Sequence, residues 1–480
     1  MVEGDASTDP SGVFAPGRRT LTAGLVLTVT VVAFEALAIA TVMPLVEDEL
    51  GDLHLYGWVF SAFFLGNLVG IVLAGRAADR MLPAVPFAIG LVLFGTGLVV
   101  GGLAPSMLVL VVGRALQGLG AGALPAVAYV SIGRGYAPAL RPRMFALLST
   151  AWVVPSLLGP AFSGFIGETI GWRWVFLGLV PLLVGIGAVA VAAVRRIPAP
   201  EVASEGASVV DALLVAGGAA TLLAGLGAEQ RTVGVGLVVL GLVLAVPAYR
   251  RLTPRGTLRA ASGLPAAIAC RGVLTFAFFA SDAYVPLMLT DVRGLRAGIA
   301  GLALTAATLA WTTGAWLQER FVVRIGVRPL VRLGFSVILA GTVVFALAVS
   351  DRVPVFVGIL GWGVTGLGMG LAYAPISLTV LGAATPGQEG AATSALQLTD
   401  VLGIALGTGV AGALIAFGED TGWDASRALL GVYAMTVVVA AVGVLLAGRL
   451  PTVGSTPSHP RSATSAPGSG PATRPGTLPT

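Results

Sequence analysis

An all-α polytopic membrane protein of about fourteen transmembrane helices, built as two six-helix halves with two extra central helices, is the fold class that this sequence predicts. Three observations predict it. The chain of 480 residues is 56% hydrophobic and only 11% charged, with a mean hydropathy of +0.93, whereas a soluble domain carries about 25% charged residues. Its apolar residues gather into runs near the roughly 20 residues that a helix needs to cross a bilayer. Its two ends carry the same glycine pattern, which marks an internal repeat.

The runs lie near residues 21–45, 55–75, 84–103, 106–131, 143–167 and 172–194, then 209–228 and 232–249, then 264–289, 296–317, 329–349, 354–381, 389–416 and 427–448. They divide the chain into an N-terminal half over 21–194, a linker with two inserted helices over 195–262, and a C-terminal half over 263–449. Residues 1–20 and 450–480 lack apolar periodicity, and the latter is rich in Pro, Ser, Thr and Gly, so both read as disordered tails.

The first run follows Glu3, Asp5 and Asp9, which lack the basic start of a secretory signal, and it is too long for a signal core. It reads as a retained helix. Within it Glu35 is a carboxylate in apolar surroundings. The fourth run carries Arg114, whose placement inside a membrane helix costs about 3 kcal/mol, so it should face a partner or a wet cavity. Arg114, Gln117, Gly118 and Gly122 fall at i, i+3, i+4 and i+8, on one face where another helix can come close. A packing seam with a snorkelling Arg114 is the rival reading.

In the fifth run Pro160 after Gly159 removes a backbone donor and kinks the helix, and Gly164 leaves room for close contact. Ser208-Val-Val-Asp211 fits a capping box at the start of the inserted pair. The ninth run holds Cys270, Arg271 and Asp282; Arg271 reads as snorkelling toward the near surface, and Asp282 lies toward the other end as a cavity or interfacial residue. Thr385-Pro386-Gly387-Gln388 carries an N-cap hydroxyl and Pro at the first helical position, so the thirteenth helix is expected to start there. Gln397 and Asp400 sit inside that helix.

The repeat aligns Arg114 to Gly122 with Trp362 to Gly370, and at the same offset Gly159 to Gly164 with Gly407 to Gly412. Gly75 to Arg80 aligns with Gly314 to Glu319 when a gap is allowed. Trp362 thus replaces Arg114, and Asp400 corresponds to Trp152; all line a site expected between the halves near the midplane. Arginines mark alternate connections: Arg18 and Arg19, Arg76 and Arg80, Arg134, Arg141 and Arg143, Arg195 and Arg196, Arg250 to Arg259, and Arg320, Arg324 and Arg328. The positive-inside rule makes those ends cytoplasmic, with both termini inside.

The remaining chemistry is thin. The single cysteine allows no intramolecular disulfide, and His54 and His459 form no metal cluster or triad, so no metal is expected. Without a phosphate-binding loop there is no sign of an enzyme or a cofactor. The net charge of +5 is spread between apolar runs and gives no nucleic-acid footprint.

Gly75-Arg-Ala-Ala-Asp79-Arg80, Arg114-x-x-Gln117-Gly118-x-Gly120, Gly159-Pro160-x-x-x-Gly164 and Gly171-Trp172-Arg173-Trp174 together resemble the major facilitator superfamily, and within it the fourteen-helix drug:proton antiporter branch. The resemblance covers nearly the whole chain apart from its tails. It implies proton coupling through Glu35, where the branch more often has Asp, with Arg114 beside it and Asp400 as a second charge. It further implies a substrate cavity with Gln117, Trp152, Trp362, Gln397 and Asp282, and gating through Gly75, Asp79, Arg80, Gly159, Pro160 and Gly164. Asp79 would meet the positive end of the helix begun at Thr385; Met81-Leu82-Pro83 departs from the basic residues usual after Asp79-Arg80.

The implied function is proton-coupled export of small amphipathic or drug-like molecules by alternating access. The partners would be that small-molecule substrate, protons and the lipid of a bacterial cytoplasmic membrane, with the chain acting as a monomer. Export or import of one metabolite, siderophore or lipid is the alternative, and a non-transporting sensor or scaffold is a further one, disfavoured by the cost of retained intramembrane charges.

Overall fold

The computed structural model describes residues 12–51, 53–199, 208–228, 230–295, 297–385 and 387–451, and among them there is helix and connection but no strand. The first six runs become α1 (Arg19–Leu50), α2 (Leu53–Ala78), α3 (Ala84–Gly102), α4 (Met107–Gly135), α5 (Arg141–Thr150), α6 (Val153–Thr169), α7 (Arg173–Leu177) and α8 (Leu179–Val194). The inserted pair is α9 (Val209–Leu226) and α10 (Arg231–Leu252). The last six runs become α11 (Leu264–Asp282), α12 (Val285–Leu287), α13 (Ala297–Ile325), α14 (Val327–Leu347), α15 (Val355–Ala383), α16 (Glu389–Asp420) and α17 (Ala425–Leu446).

Among the described residues 12 helices are long and apolar enough to cross a membrane, or 13 if a bent pair counts as one, so the expected fourteen is not reached on that measure. Two runs differ. The fifth is bent by 42° between Gly159 and Phe162, where a proline interrupts the backbone ladder. The tenth forms α13, a helix of 29 residues that is not among the 12.

In the N-terminal half α4 lies between α2 and α3, and α1 packs on α6 and α8; in the C-terminal half α15 lies between α13 and α14, and α11 packs on α16 and α17. Apolar burial drives little association in lipid, so close packing must do it, and small residues make it possible. A Cβ at Gly118 or Gly122 would strike the α2 backbone at Phe63 and Asn67, and one at Gly120 would strike α3. At the repeat-related positions Gly366 and Gly370 meet α13 at Ala307 and Trp311, while Gly368 meets α14 at Gly334. The repeat therefore recurs as a repeat of contacts. Large apolar side chains such as Val92, Val184, Phe165 and Leu445 stay exposed on the outside, as suits a surface that faces lipid.

The inserted helices pair with each other, and α9 also lies against α2 and α16, one helix from each half. Ala212, Val215 and Ala216 of α9 join Leu68, Ile71, Leu398 and Leu402 in one buried cluster. The Ser208 Oγ accepts from the Asp211 amide at 3.4 Å as the capping box predicts, and Asp211 also pairs with Arg251 at 2.7 Å.

Two expectations need correction. The helix expected from Thr385 begins instead at Glu389, after Gly387 turns at φ +82°. Residues 12–20 are not disordered: Val13 is buried, the Thr22 hydroxyl donates to its carbonyl at 2.5 Å, and α1 begins at Arg19. Leu450 likewise is buried, and its carbonyl accepts from Arg328 at 2.6 Å. Residues 1–11 and 452–480, the rest of the expected tails, lie outside the described residues.

Candidate functional site

In the N-terminal half Glu35 of α1 and Arg114 of α4 form an ion pair, and each residue is 2% exposed. Such burial is tolerable because the guanidinium has several acceptors. Its Nη1 also donates to Gln117 Oε1 at 2.6 Å, and its Nε donates to the Val59 carbonyl of α2 at 3.2 Å. The Phe63 ring lies 4.2 Å from the guanidinium carbon, adding a cation–π contact. Two polar atoms are left over. Glu35 Oε2 and Gln117 Nε2 are buried with no hydrogen-bond partner among the described residues.

The C-terminal half holds a second pair that the sequence reading did not join. Arg271 of α11 is fully buried and lies 3.5 Å from Asp400 of α16, so it does not snorkel. Snorkelling needs a path to the surface, and here the guanidinium is taken up inward. It donates to the Tyr373 carbonyl at 2.7 Å and to Ser377, and it lies 3.4 Å from the centre of the Tyr373 ring. The Tyr373 hydroxyl donates to Asp400 Oδ2 at 2.8 Å. Gln397, one turn before Asp400, is buried with its Oε1 unpartnered among the described residues.

Trp362, expected to line a cavity, is 0% exposed and therefore cannot offer its face to a solute in this conformation. It stacks on Phe278 at 5.4 Å and touches Phe345. Its indole donates to Asp282 Oδ1 at 3.2 Å. Trp311, Phe279 and Tyr373, by contrast, are only half-buried, with Trp311 between the other two. Trp152, at the turn joining α5 to α6, is 43% exposed.

The arginine-rich ends of the two halves are joined by Asp79. Its Oδ1 accepts from the Gly390 amide and its Oδ2 from the Ala391 amide, both at 2.7 Å, so a carboxylate from one half caps α16 of the other. Arg134 binds Asp79 at 3.3 Å and Glu389 at 2.8 Å. Gly75 and Gly390 allow this crossing, since a Cβ at Gly75 would come within 2.6 Å of the Gly390 carbonyl oxygen. The repeat supplies a weaker counterpart: Gln318, aligned with Asp79, donates to the Pro142 carbonyl at the start of α5 at 3.2 Å. Arg80 is exposed beside them.

Gly159 and Gly164 do not make tight packing across the halves. They face α1 of their own half, with the nearest atoms 3.7 Å and 3.6 Å from a would-be Cβ. Their repeat partner Gly407 instead sits 2.6 Å from the Phe276 carbonyl by the same measure. At Gly159 and Gly164, α6 thus meets α1 at ordinary contact distance, while the corresponding part of α16 is wedged. At the other end of α1, outside the apolar span, Arg173 at 2.5 Å and Trp172 at 2.7 Å hold Glu49. Those two hydrogen bonds lower the Glu49 carboxyl below its ordinary value.

Several contributors escaped sequence reasoning: Tyr373, Trp311, Arg134, Glu389 and Gly390, along with the inward role of Arg271. Arg271 announced itself as an intramembrane charge, but nothing local named Asp400 as its partner.

Comparison with known proteins places this geometry. Residues 25–408 match the model of the Major Facilitator Superfamily. A probable multidrug-efflux transporter of Mycobacterium tuberculosis is 27% identical over 436 residues, covering 84% of this chain and 88% of that protein. The multidrug transporter protein MdtP of Bacillus subtilis is 23% identical over 418 residues, covering 83% and 75%. Among solved structures, a human organic anion transporter superposes with a TM-score of 0.66 at 14% identity, covering 90% of this chain and 99% of that one.

Proposed function

This chain belongs to the Major Facilitator Superfamily, and on that premise we propose that it is a proton-coupled secondary transporter that exports small amphipathic molecules by alternating access. The observation that carries the proposal is the buried Glu35 to Arg114 pair, with a carboxylate oxygen that has no hydrogen-bond partner among the described residues. A charge pair in this setting is expensive to keep for packing alone. A proton on Glu35 would loosen the grip of Arg114, and α1 would be freer to shift against α4. The multidrug names of the relatives support an exported, chemically varied substrate.

The chain crosses the membrane fourteen times in this reading, with α5 and α6 as one bent crossing and α13 as another. Both termini are cytoplasmic, by the positive-inside rule, in a bacterial cytoplasmic membrane. The hydrogen bonds from Asp79, Gln318 and Arg134 close the arginine-rich ends, so this conformation is closed to the cytoplasm. Substrate is held between the halves, against Trp311, Phe279 and Tyr373, with Asp400 attracting a cationic group. Asp400 accepts a hydrogen bond from Tyr373 on one oxygen, while the other faces Arg271 at 3.5 Å without a hydrogen bond, which leaves it able to exchange that contact for a substrate or a proton.

The test is efflux in proteoliposomes driven by an imposed pH gradient. Glu35→Gln should abolish gradient-driven transport while the purified protein keeps its helical content and monodispersity. Transport at the wild-type rate would remove Glu35 from the mechanism.

A further inference from the structure

Upstream of Arg114 the repeat runs in the gapped register of Gly75 and Gly314, which sets Glu35 opposite Leu274, about two turns before Asp282. The structure nevertheless ties a carboxylate on the first helix of each half to the aligned residues Arg114 and Trp362. Where Arg114 of α4 holds Glu35 of α1, Trp362 of α15 holds Asp282 at the end of α11, through the indole N–H at 3.2 Å. The two contacts start from aligned residues, Arg114 and Trp362, but differ in charge. A guanidinium cancels the charge of its carboxylate; an indole only donates a hydrogen bond.

Nothing else around Asp282 supplies the missing positive charge among the described residues. Arg271 lies on the same helix, about 16 Å away by helical rise, and is engaged with Asp400. Arg293 is occupied by the carbonyls of Ala348, Ser350 and Val353 and by Asp351 at 3.6 Å. From α17, Thr436 bonds Ser281 at 2.7 Å and Tyr433 packs on Phe345. Tyr284 donates to the Thr408 carbonyl of α16 at 3.1 Å. Phe278, stacked on Trp362, leads toward Trp311 of α13. The surroundings are neutral and largely apolar. A carboxylate without a cation in such a place is costly, and taking up a proton is the least costly relief. Asp282 is also partly exposed, whereas Glu35 is sealed.

We propose that Asp282 is a further proton-binding carboxyl of the transport cycle, beside Glu35 and Asp400, with Trp362 as its positioning residue. The proton adds to one oxygen of the Asp282 carboxylate while the other continues to accept the indole hydrogen bond, and release of that proton restores the carboxylate. The role in the cycle rests on the transport reading above; the binding of the proton does not.

Infrared spectra of the purified full chain in nanodiscs, recorded across pH, test both parts separately. A protonated-carboxyl band that disappears on raising the pH should be absent in Asp282→Asn and retained in Glu35→Gln. Asp282→Glu should keep a titrating band, and Trp362→Phe should keep it at a shifted frequency and midpoint, because the hydrogen bond is gone. In a transport-competent preparation Asp282→Asn should release about one proton fewer per substrate bound. A band unchanged in Asp282→Asn, or no titrating band in either the wild type or Asp282→Glu, overturns the proposal. A titrating Asp282 band in a protein that moves no substrate leaves the carboxyl assigned and overturns the transport reading alone.

Discussion

The two buried ion pairs hold their helices together by different means, and the difference is measurable. Arg114 spreads its donors over Glu35, Gln117 and Val59, on three helices or turns of one half. Replacing it by Lys keeps the charge but not the planar fork, so Arg114→Lys should restore only part of the transport lost in Arg114→Ala. Full activity in the Ala variant would mean that the pair only packs helices. Arg271 and Asp400 differ again, because Tyr373 bonds one partner through its carbonyl and the other through its hydroxyl. Removing one partner strands the other: Arg271→Leu should lower the unfolding free energy by about 3–5 kcal/mol. The double variant with Asp400→Leu should recover most of that loss, which thermal unfolding in detergent would register.

At the scale of helices, glycine placement separates contacts that cannot give from contacts that can. Gly75 meets Gly390 and Ser394 across the halves with no room for a side chain. Gly75→Leu should push α2 from α16 at a cost of about 1–3 kcal/mol and favour the conformer open at the arginine-rich ends. Gly164→Ala, which faces Thr41 across 3.6 Å, should be tolerated with near-wild-type stability and expression. The reverse pattern would mean that α6 and not the α2 to α16 crossing is the close seam. Much of this scale was legible in the sequence: the runs became helices, and the glycines of the repeat found equivalent neighbours. The start of α16 was not, because its cap is supplied by Asp79 from a distant part of the chain and not by Thr385 beside it. The bend near Pro160 was legible, yet what Gly159 and Gly164 face was not.

For the whole molecule, the two halves are joined at the arginine-rich end by few polar bonds. Asp79 and Arg134 supply charged hydrogen bonds between the halves, each worth roughly 1.5–3 kcal/mol. Arg134→Ala should therefore raise the population open at that end by about tenfold or more. The readout is labelling by a membrane-impermeant thiol reagent of a reporter cysteine placed at Ala77, against a background kept low because Cys270 is buried. Unchanged labelling would show that apolar contact between the halves suffices for closure. The inserted pair adds to the same seam, since α9 touches α2 and α16 together, and Tyr249 of α10 bonds Thr399 at 2.8 Å beside Asp400.

The sequence by itself determined that the chain is a set of membrane-length helices in two related halves, because hydropathy and glycine spacing are local properties that survive without knowledge of neighbours. It also singled out Glu35, Arg114 and Asp400 as charges needing company. Only the tertiary structure decided that Arg271 keeps company with Asp400 and Asp282 with Trp362. Helices that are apolar around their circumference carry little record of which face turns inward. Rotation and crossing are set by close packing against other helices, so the pairing of distant charges is settled there.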